Sequence, residues 1–270
     1  MKNSRISAFL RWAGSKKQLL PILQEYWVPT HKRYVEPFAG SACLFFRIGP
    51  SKSMLGDLNA ALIKMYRCLK SEPEAVIDAL FDLPKGRRHY QQIRSMDATD
   101  MSDAGRAARF IYLNRFCFNG LYRTNKLGNF NVPYGGGKSG SLPSRELLRA
   151  CSASLRRTIL LDGDFGDTLA RVVAGDFVYL DPPFSVAARR TFNEYNAAVF
   201  ASADVKRLRE WMHVLVSRGA SFVVSYAESE EGRFLARGFA TRRVTVKRHI
   251  AGSFTNRVKS RELLIHHRAI

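Results

Sequence analysis

The sequence predicts an α/β fold: a doubly wound sheet of about seven strands that carries a long insertion. Three observations predict it. Short apolar runs ending in Gly- or Asp-bearing turns alternate with helical-period segments at both ends of the chain. That rhythm stops between residues 119 and 144 and then resumes. The 270 residues are 46% hydrophobic and 24% charged, ordinary values for a folded protein long enough to bury a sizeable core.

The elements follow in order. Residues 34–37 form a short buried strand that ends in a small-residue turn at 38–41, and a helix starts over 42–48. Residues 52–55 form a second strand, ending at Gly56-Asp57. Leu58, Leu62, Met65, Tyr66 and Leu69 recur at helical spacing through 58–70. Residues 74–83 and 104–118 also read as helices. The stretch 119–144, NGLYRTNKLGNFNVPYGGGKSGSLPS, is rich in Asn, Gly, Pro and Ser and holds three basic residues and no acidic one. It reads as a loop or hairpin outside the core. Its GGGKSGS patch, 135–141, reads as a mobile loop. Strands resume at 158–161 and 177–180, a helix follows at 205–216, and strands come at 221–226, 242–247 and 262–265. The expected division is a main domain from 1–57 and 155–270, with 58–154 inserted.

Charge narrows the function. Lys and Arg number 43 against 23 Asp and Glu, a net +20, which attracts polyanions such as nucleic acid or an anionic membrane. The membrane reading lacks a basic amphipathic terminal helix, and no apolar run reaches the ~18 residues of a spanning segment. The first twenty residues lack the apolar stretch of a signal peptide. Cys43, Cys68, Cys117 and Cys151 are scattered, with no CxxC pair or Cys/His cluster, so neither structural zinc nor a disulfide framework is expected. The expectation is a soluble cytoplasmic protein without a metal.

Ligands in open α/β sheets bind beyond the carboxyl ends of strands. Four such ends carry suggestive residues, and all would line one rim. Glu36-Pro37-Phe38-Ala39-Gly40-Ser41 is a small-residue turn that lets a ligand approach the backbone, or simply a turn; it is not GxGxxG. Asp57 is placed either to accept from ribose hydroxyls or to cap the helix that follows. Asp164-Phe165 is either a purine pocket or a turn. Asp181-Pro182-Pro183-Phe184 is the sharpest of the four. Two prolines remove two backbone donors, so a carboxylate, an unpaired carbonyl and an aromatic face crowd together. That set suits a planar, amino-bearing base: the amine donates to Asp181 and the Pro182 carbonyl, and Phe184 stacks on the ring.

Taken together these segments resemble a family. Arg11-Trp12-Ala13-Gly14-Ser15-Lys16, the 36–41 turn, Gly56-Asp57-Leu58-Asn59, Asn119-Gly120-Leu121-Tyr122-Arg123-Thr124-Asn125, Phe130-Asn131-Val132-Pro133-Tyr134-Gly135 and Asp181-Pro182-Pro183-Phe184 are similar, in this order, to the Dam-like N6-adenine DNA methyltransferases in their α arrangement. The resemblance runs from about residue 9 to 265. It implies a Rossmann-like S-adenosylmethionine methyltransferase sheet with an inserted target-recognition domain acting on double-stranded DNA. It also implies that Trp12 and Lys16 belong to the cofactor pocket, that Glu36, Pro37, Phe38, Gly40 and Ser41 form the methionine-side loop, that Asp57 binds ribose, and that Asp164 and Phe165 hold the adenine. Two departures stand out. The family's usual N-terminal Gly-Gly is Gly14-Ser15 here, and its usual tetrapeptide Tyr is Phe184, which keeps the stacking face without the hydroxyl. Activity is expected to survive.

The implied reaction is direct attack by N6 on the cofactor methyl, with Asp181 and the Pro182 carbonyl favouring a pyramidal nitrogen as charge develops. It needs no metal and no cysteine nucleophile, and the Pro-Cys of cytosine-C5 enzymes does not occur in the chain. The base must first flip from the duplex. Residues 185–196, with Arg189 and Arg190, read as a closing loop or a solvated basic one. In the insertion, Arg123 is the candidate for bidentate contact with guanine, Leu121 and Pro133 for a thymine methyl, and Asn119 and Asn125 for base or backbone, with Tyr122 as packing. Any of these basic residues could instead touch phosphate. Arg115, Lys126, Lys138, Arg145, Arg149, Lys247, Arg248, Arg257 and Lys259 fit a phosphate-binding face or an ordinary solvated one. The target expected is GATC or a related short GA-containing site, and a monomer is the default unit. The rivals are an RNA or N4-cytosine methyltransferase, and a non-catalytic DNA-binding protein of the same fold.

Overall fold

The computed structural model describes residues 6–184, 200–249 and 257–269. The loop expected at 185–196, and the side chains of Lys138, Lys247, Arg248, Arg257 and Lys259, lie outside the described residues.

Seven strands form one sheet: β1 (Arg33–Glu36), β2 (Ser53–Asp57), β3 (Thr158–Asp162), β4 (Asp176–Leu180), β5 (Ser221–Ala227), β6 (Ala240–His249) and β7 (Arg257–His267). Their order is β3-β2-β1-β4-β5-β7-β6. The first five run parallel, and β7 enters antiparallel between β5 and β6. Each strand expected from the sequence is present, and the last two are longer than expected because they form one long hairpin. The Rossmann-like reading holds. The strand order switches sides between β1 and β4, the position beyond whose strand ends open sheets of this kind bind ligands.

Alternation sorts the two faces. Tyr34, Leu55, Phe177, Tyr179 and Val223 point into one hydrophobic cluster; Val35, Met54, Val178, Leu180, Phe222 and Val224 point into the other. The second face is covered by α8 (Phe165–Leu169), α9 (Ser202–Ser217) and α10 (Glu230–Ala236). The first is covered by α1 (Leu20–Leu23), α2 (Cys43–Ile48), α3 (Ala60–Ser71), α4 (Pro73–Phe81), α5 (Arg87–Ser95), α6 (Asp103–Phe116) and α7 (Arg145–Leu155). Leu62, Tyr66, Tyr90, Ile111 and Leu148 therefore share one core with Tyr34 and Leu55 of the sheet.

Capping decides where several helices begin. Asn59, Ser102, Ser144, Asp164 and Ser229 each accept a backbone N–H of the first turn of α3, α6, α7, α8 and α10. The cap of α3 is therefore Asn59 and not Asp57. The helix expected over 104–118 ends at Phe116 because Cys117 turns extended and bridges to Tyr134. The segment 119–134 is an irregular hairpin held by that bridge and by Thr124 opposite Phe130. It is not wholly outside the core, since Val132 is buried in the main cluster. The glycine patch at 135–141 is held in place rather than left loose. Gly135 N–H donates to the Phe116 carbonyl and Gly140 N–H to the Arg115 carbonyl, and an added Cβ at Gly135 would lie 2.8 Å from the Cys117 carbonyl oxygen.

The close approach of α8 to β2 depends on Gly56. A Cβ at Gly56 would run into the Thr168 hydroxyl on α8. Gly56→Ala is therefore expected to destabilise the fold by about 1–3 kcal/mol through overpacking. Urea unfolding would show this as a lower midpoint at unchanged slope.

Candidate active site

The four strand ends meet on one rim. Asp181 follows β4 directly, and Glu36 closes β1 beside it at the topological switch. Asp57 ends β2, and Asp164 follows β3 at the start of α8.

Asp181 is the most heavily engaged of the four. Lys16 Nζ pairs with its Oδ1 at 2.5 Å, and the exposures are 8% and 18%, so the pair is largely shielded from water. The same oxygen accepts from Ser225 Oγ at 2.8 Å. Lys16 also donates to the Gly14 carbonyl and stands 5.2 Å from the centre of the Phe184 ring. Phe184 meets Tyr226 edge-on, Pro182 is buried, and Pro183 is exposed. The tetrapeptide thus presents a carboxylate, a proline carbonyl and an aromatic ring in one place, with a cation fixing the carboxylate's charge.

The 36–41 turn is wound tightly behind β1. Gly40 (φ 47°) and Ala42 (φ 49°) both lie in the left-handed region, and the Ala39 N–H donates to the Gly56 carbonyl. The Trp12 indole lies so close over Gly40 that an added Cβ would be 2.8 Å from it. Tyr66 OH donates to the Gly40 carbonyl. Ser41 Oγ reaches Ser15 Oγ at 3.5 Å, so the serine at the second position of Gly14-Ser15 faces the turn. Pro37 is buried.

Asp57 braces the turn. Its Oδ2 accepts from Gly40 N–H and its Oδ1 from Asn59 N–H, each at 2.9 Å. Burial raises its carboxyl above the ordinary range, and these two amides oppose the shift. Glu36 is buried at 2% exposure and accepts from Tyr34 OH at 2.9 Å. Its carboxyl is pushed well above the ordinary range, first by burial; the Tyr34 bond opposes this, and the charges of Asp181 and Asp57 add to it. Three acidic groups near enough to feel one another therefore sit on one rim of a strongly basic chain.

Beyond β3, Phe38 stacks on Phe165 at 5.2 Å, and Phe200 closes on both. Asp164 caps α8 through Gly166 N–H and pairs with Arg207, whose guanidinium lies 4.7 Å over Phe165. The result is an aromatic cluster with a charged edge.

The insertion reaches this rim through Tyr122, which stacks on Trp12 and on Phe110. Arg123 Nε donates to Asn131 Oδ1 at 2.7 Å across the hairpin. Asn125 is occupied in its own turn, where its Oδ1 accepts from Leu127 and Asn129 N–H. Leu121 is exposed, Pro133 is exposed with its carbonyl bonded by Phe118 N–H, and Asn119 takes a left-handed φ of 54°. Lys126 and Leu127 stand exposed at the tip. Three of the basic residues set against phosphate are otherwise engaged: Arg115 bonds the Phe9 and Ser141 carbonyls, Arg145 pairs with Asp78, and Arg149 pairs with Glu74.

Comparison with known proteins bears on this arrangement. The sequence model of the D12 class N6 adenine-specific DNA methyltransferases matches residues 12–250. The chain belongs to that class. The Type II methyltransferase M1.LlaDCHI of Lactococcus lactis subsp. cremoris is 33% identical over 266 residues, spanning 95% of this chain and 94% of its own. The DNA adenine methylase of Vibrio cholerae is 33% identical over 270 residues, 98% and 96% of the two chains. The retron Ec67 DNA adenine methylase of Escherichia coli is 32% identical over 253 residues, 92% and 87%. This D12-class enzyme is thus an adenine-N6 DNA methyltransferase with DNA as substrate, and the RNA, N4-cytosine and non-catalytic readings give way to it. Among the described residues no helix is long and apolar enough to cross a membrane, and no group of three His, Cys, Asp or Glu could hold a metal.

Several residues of the rim were not singled out from the sequence. Ser225 and Tyr179 lie inside strands whose apolar neighbours make them look like core. Arg207 and Phe200 lie far from Phe165 in sequence and reach it only because α9 packs beside α8.

Glu36 gives a pH signature. A buried acid whose folded value is raised keeps its proton while the unfolded chain releases it above about pH 4.3. The unfolded state then binds fewer protons, so this group's contribution to stability falls as pH rises. Glu36→Gln removes that slope. Its stability relative to the parent is expected to improve from about pH 5 to 8 in urea titrations; an unchanged difference would mean that Glu36 folds ionised.

Proposed function

We propose that this methyltransferase uses S-adenosylmethionine to methylate N6 of an adenine flipped from duplex DNA, at GATC or a related short GA-containing site. The carrying observation is Asp181, held as a shielded carboxylate by Lys16 and Ser225 beside Pro182 and Phe184.

The residues present fit the cofactor. A sulfonium cation suits a rim bearing Asp57 and Asp181, with the buried acid of Glu36 beside them. The aromatic surface of Phe38 and Phe165 suits a purine, with Asp164 at its edge. Trp12, Lys16, Glu36, Pro37, Phe38, Gly40 and Ser41 would hold the methionine side, Asp57 the ribose, and Asp164 and Phe165 the adenine. When bound, S-adenosylmethionine supplies an electrophilic methyl group.

The chain's own residues then act on the target base. An exocyclic amine conjugated with its ring is a weak nucleophile. Asp181 and the Pro182 carbonyl, by accepting its two hydrogens, favour a pyramidal nitrogen and stabilise the charge it gains. Phe184 supplies a face against which the base is oriented. Lys16 pairs with the Asp181 carboxylate, which can only accept. Flipping costs a few kcal/mol, which contacts to the vacated duplex must offset.

Reading of the site is assigned to the inserted segment 58–154. Asn131 orients the Arg123 guanidinium by accepting from Nε at 2.7 Å and from one Nη at 3.5 Å, which holds the group in place for a guanine contact. Leu121 and Pro133 would meet a thymine methyl; Asn119 and Asn125 would shape the hairpin or touch backbone. The enzyme is taken to act as a monomer on DNA in the cytoplasm.

Two experiments test this reading. Purified protein, unmethylated duplex DNA and S-adenosylmethionine should yield N6-methyladenine by nucleoside mass spectrometry. Asp181→Ala, checked for folding by circular dichroism, should yield none; N4-methylcytosine, or full activity of the variant, would refute the assignment. Arg123→Ala should lose about 1–3 kcal/mol of discrimination at one guanine while methylating more sites, as mapped by sequencing.

A further inference from the structure

Asp181 is reached from inside the sheet as well as from the cleft. The β4–β5 register sets Tyr179 opposite Val223 and Leu180 opposite Val224, so Asp181 follows opposite Ser225. Alternation puts Tyr179 and Asp181 on one face of β4, and Ser225 on the matching face of β5. Ser225 is 0% exposed and Tyr179 is buried beside it. Tyr179 OH and Ser225 Oγ are 3.3 Å apart, and Ser225 Oγ is 2.8 Å from Asp181 Oδ1.

Proton counting orders this chain. A serine hydroxyl has one proton to give. The carboxylate is an acceptor, so that proton goes to Asp181. The contact between the two hydroxyls then runs one way, with Tyr179 O–H donating to Ser225 Oγ. Burial, followed by the nearby Asp181 charge, pushes the Tyr179 hydroxyl well above its ordinary range, which keeps it a neutral donor. Lys16 takes the same Oδ1 from the other side. Both strong donors converge on one oxygen and leave Oδ2 as the acceptor for substrate.

We propose that Tyr179 and Ser225 form a buried donor relay that positions the Asp181 carboxylate, fixing Oδ1 so that Oδ2 receives the target amine. They are positioning residues, since neither touches substrate. The inference rests on the reading of Asp181 as the amine's acceptor.

The test measures steady-state methylation by Ser225→Ala, Ser225→Thr, Tyr179→Phe and the Ser225→Ala/Tyr179→Phe double variant, beside Asp181→Ala. Thermal melting of each variant confirms folding. Ser225→Ala is expected to lower kcat about 10- to 100-fold, the scale of a lost hydrogen bond to a charged group. KM for DNA and for S-adenosylmethionine should stay within about twofold. Ser225→Thr should restore most of kcat. Tyr179→Phe should lower kcat in the parent but not in the Ser225→Ala background, because the relay is already cut there. Parent-like kcat in Ser225→Ala, an effect on KM alone, or equal Tyr179→Phe losses in both backgrounds would overturn the relay. If Asp181→Ala remains active, the underlying assignment of Asp181 fails instead, so the two failures are told apart.

Discussion

The Lys16–Asp181 ion pair joins the two ends of the molecule's logic. Lys16 comes from before the first strand, and Asp181 lies 165 positions later, after the fourth. They meet at the end of the sheet where β1 and β4 are neighbours. A carboxylate so shielded from water persists as an anion only with a cation and hydrogen-bond donors around it. Ser225 supplies the donor and Lys16 the cation. The surrounding parts of the site are arranged about this pair: Phe184 beside Lys16, Gly14 beneath it, and Glu36 near enough to sense the charge of Asp181.

From that pair the structure extends in two directions. Toward β2 and β3, Asp57 grips the turn at Gly40, Gly40 lies beneath Trp12, and Phe38 passes the contact on to Phe165. Toward the insertion, Trp12 stacks on Tyr122, which leads into the hairpin bearing Arg123. The 36–41 turn and the 119–134 hairpin are thus joined through two aromatic rings, Trp12 and Tyr122. The insertion gains its rigidity from the sheet's own core, where Tyr90 and Val132 are buried together and Tyr90 OH donates to the Val132 carbonyl.

Much of this was legible in the sequence, for identifiable reasons. Strands β2, β3 and β4 announce themselves as apolar runs ended by Gly or Asp, and the rim residues Glu36, Asp57, Asp164 and Asp181 follow because parallel strands place their carboxyl ends together. What stayed hidden depends on packing. Helix α5, RRHYQQIRS, buries only Tyr90 and Ile93, too few apolar positions to mark a period. The glycine patch reads as mobile, yet its backbone is bonded to the end of α6. Arg115 reads as surface charge, yet it closes two backbone carbonyls. Ser225 and Tyr179 carry no local motif at all, and only strand register brings them to Asp181.

The most direct measurement is a crystal structure of the enzyme with S-adenosylhomocysteine and an unmethylated duplex containing GATC. The account predicts an extrahelical adenine whose N6 lies within hydrogen-bond distance of Asp181 Oδ2 and the Pro182 carbonyl. The cofactor's adenine should lie against the Phe38–Phe165 pair, with Lys16 and Ser225 still on Oδ1. An adenine left stacked in the duplex, or an amine that contacts neither Asp181 nor Pro182, would contradict it.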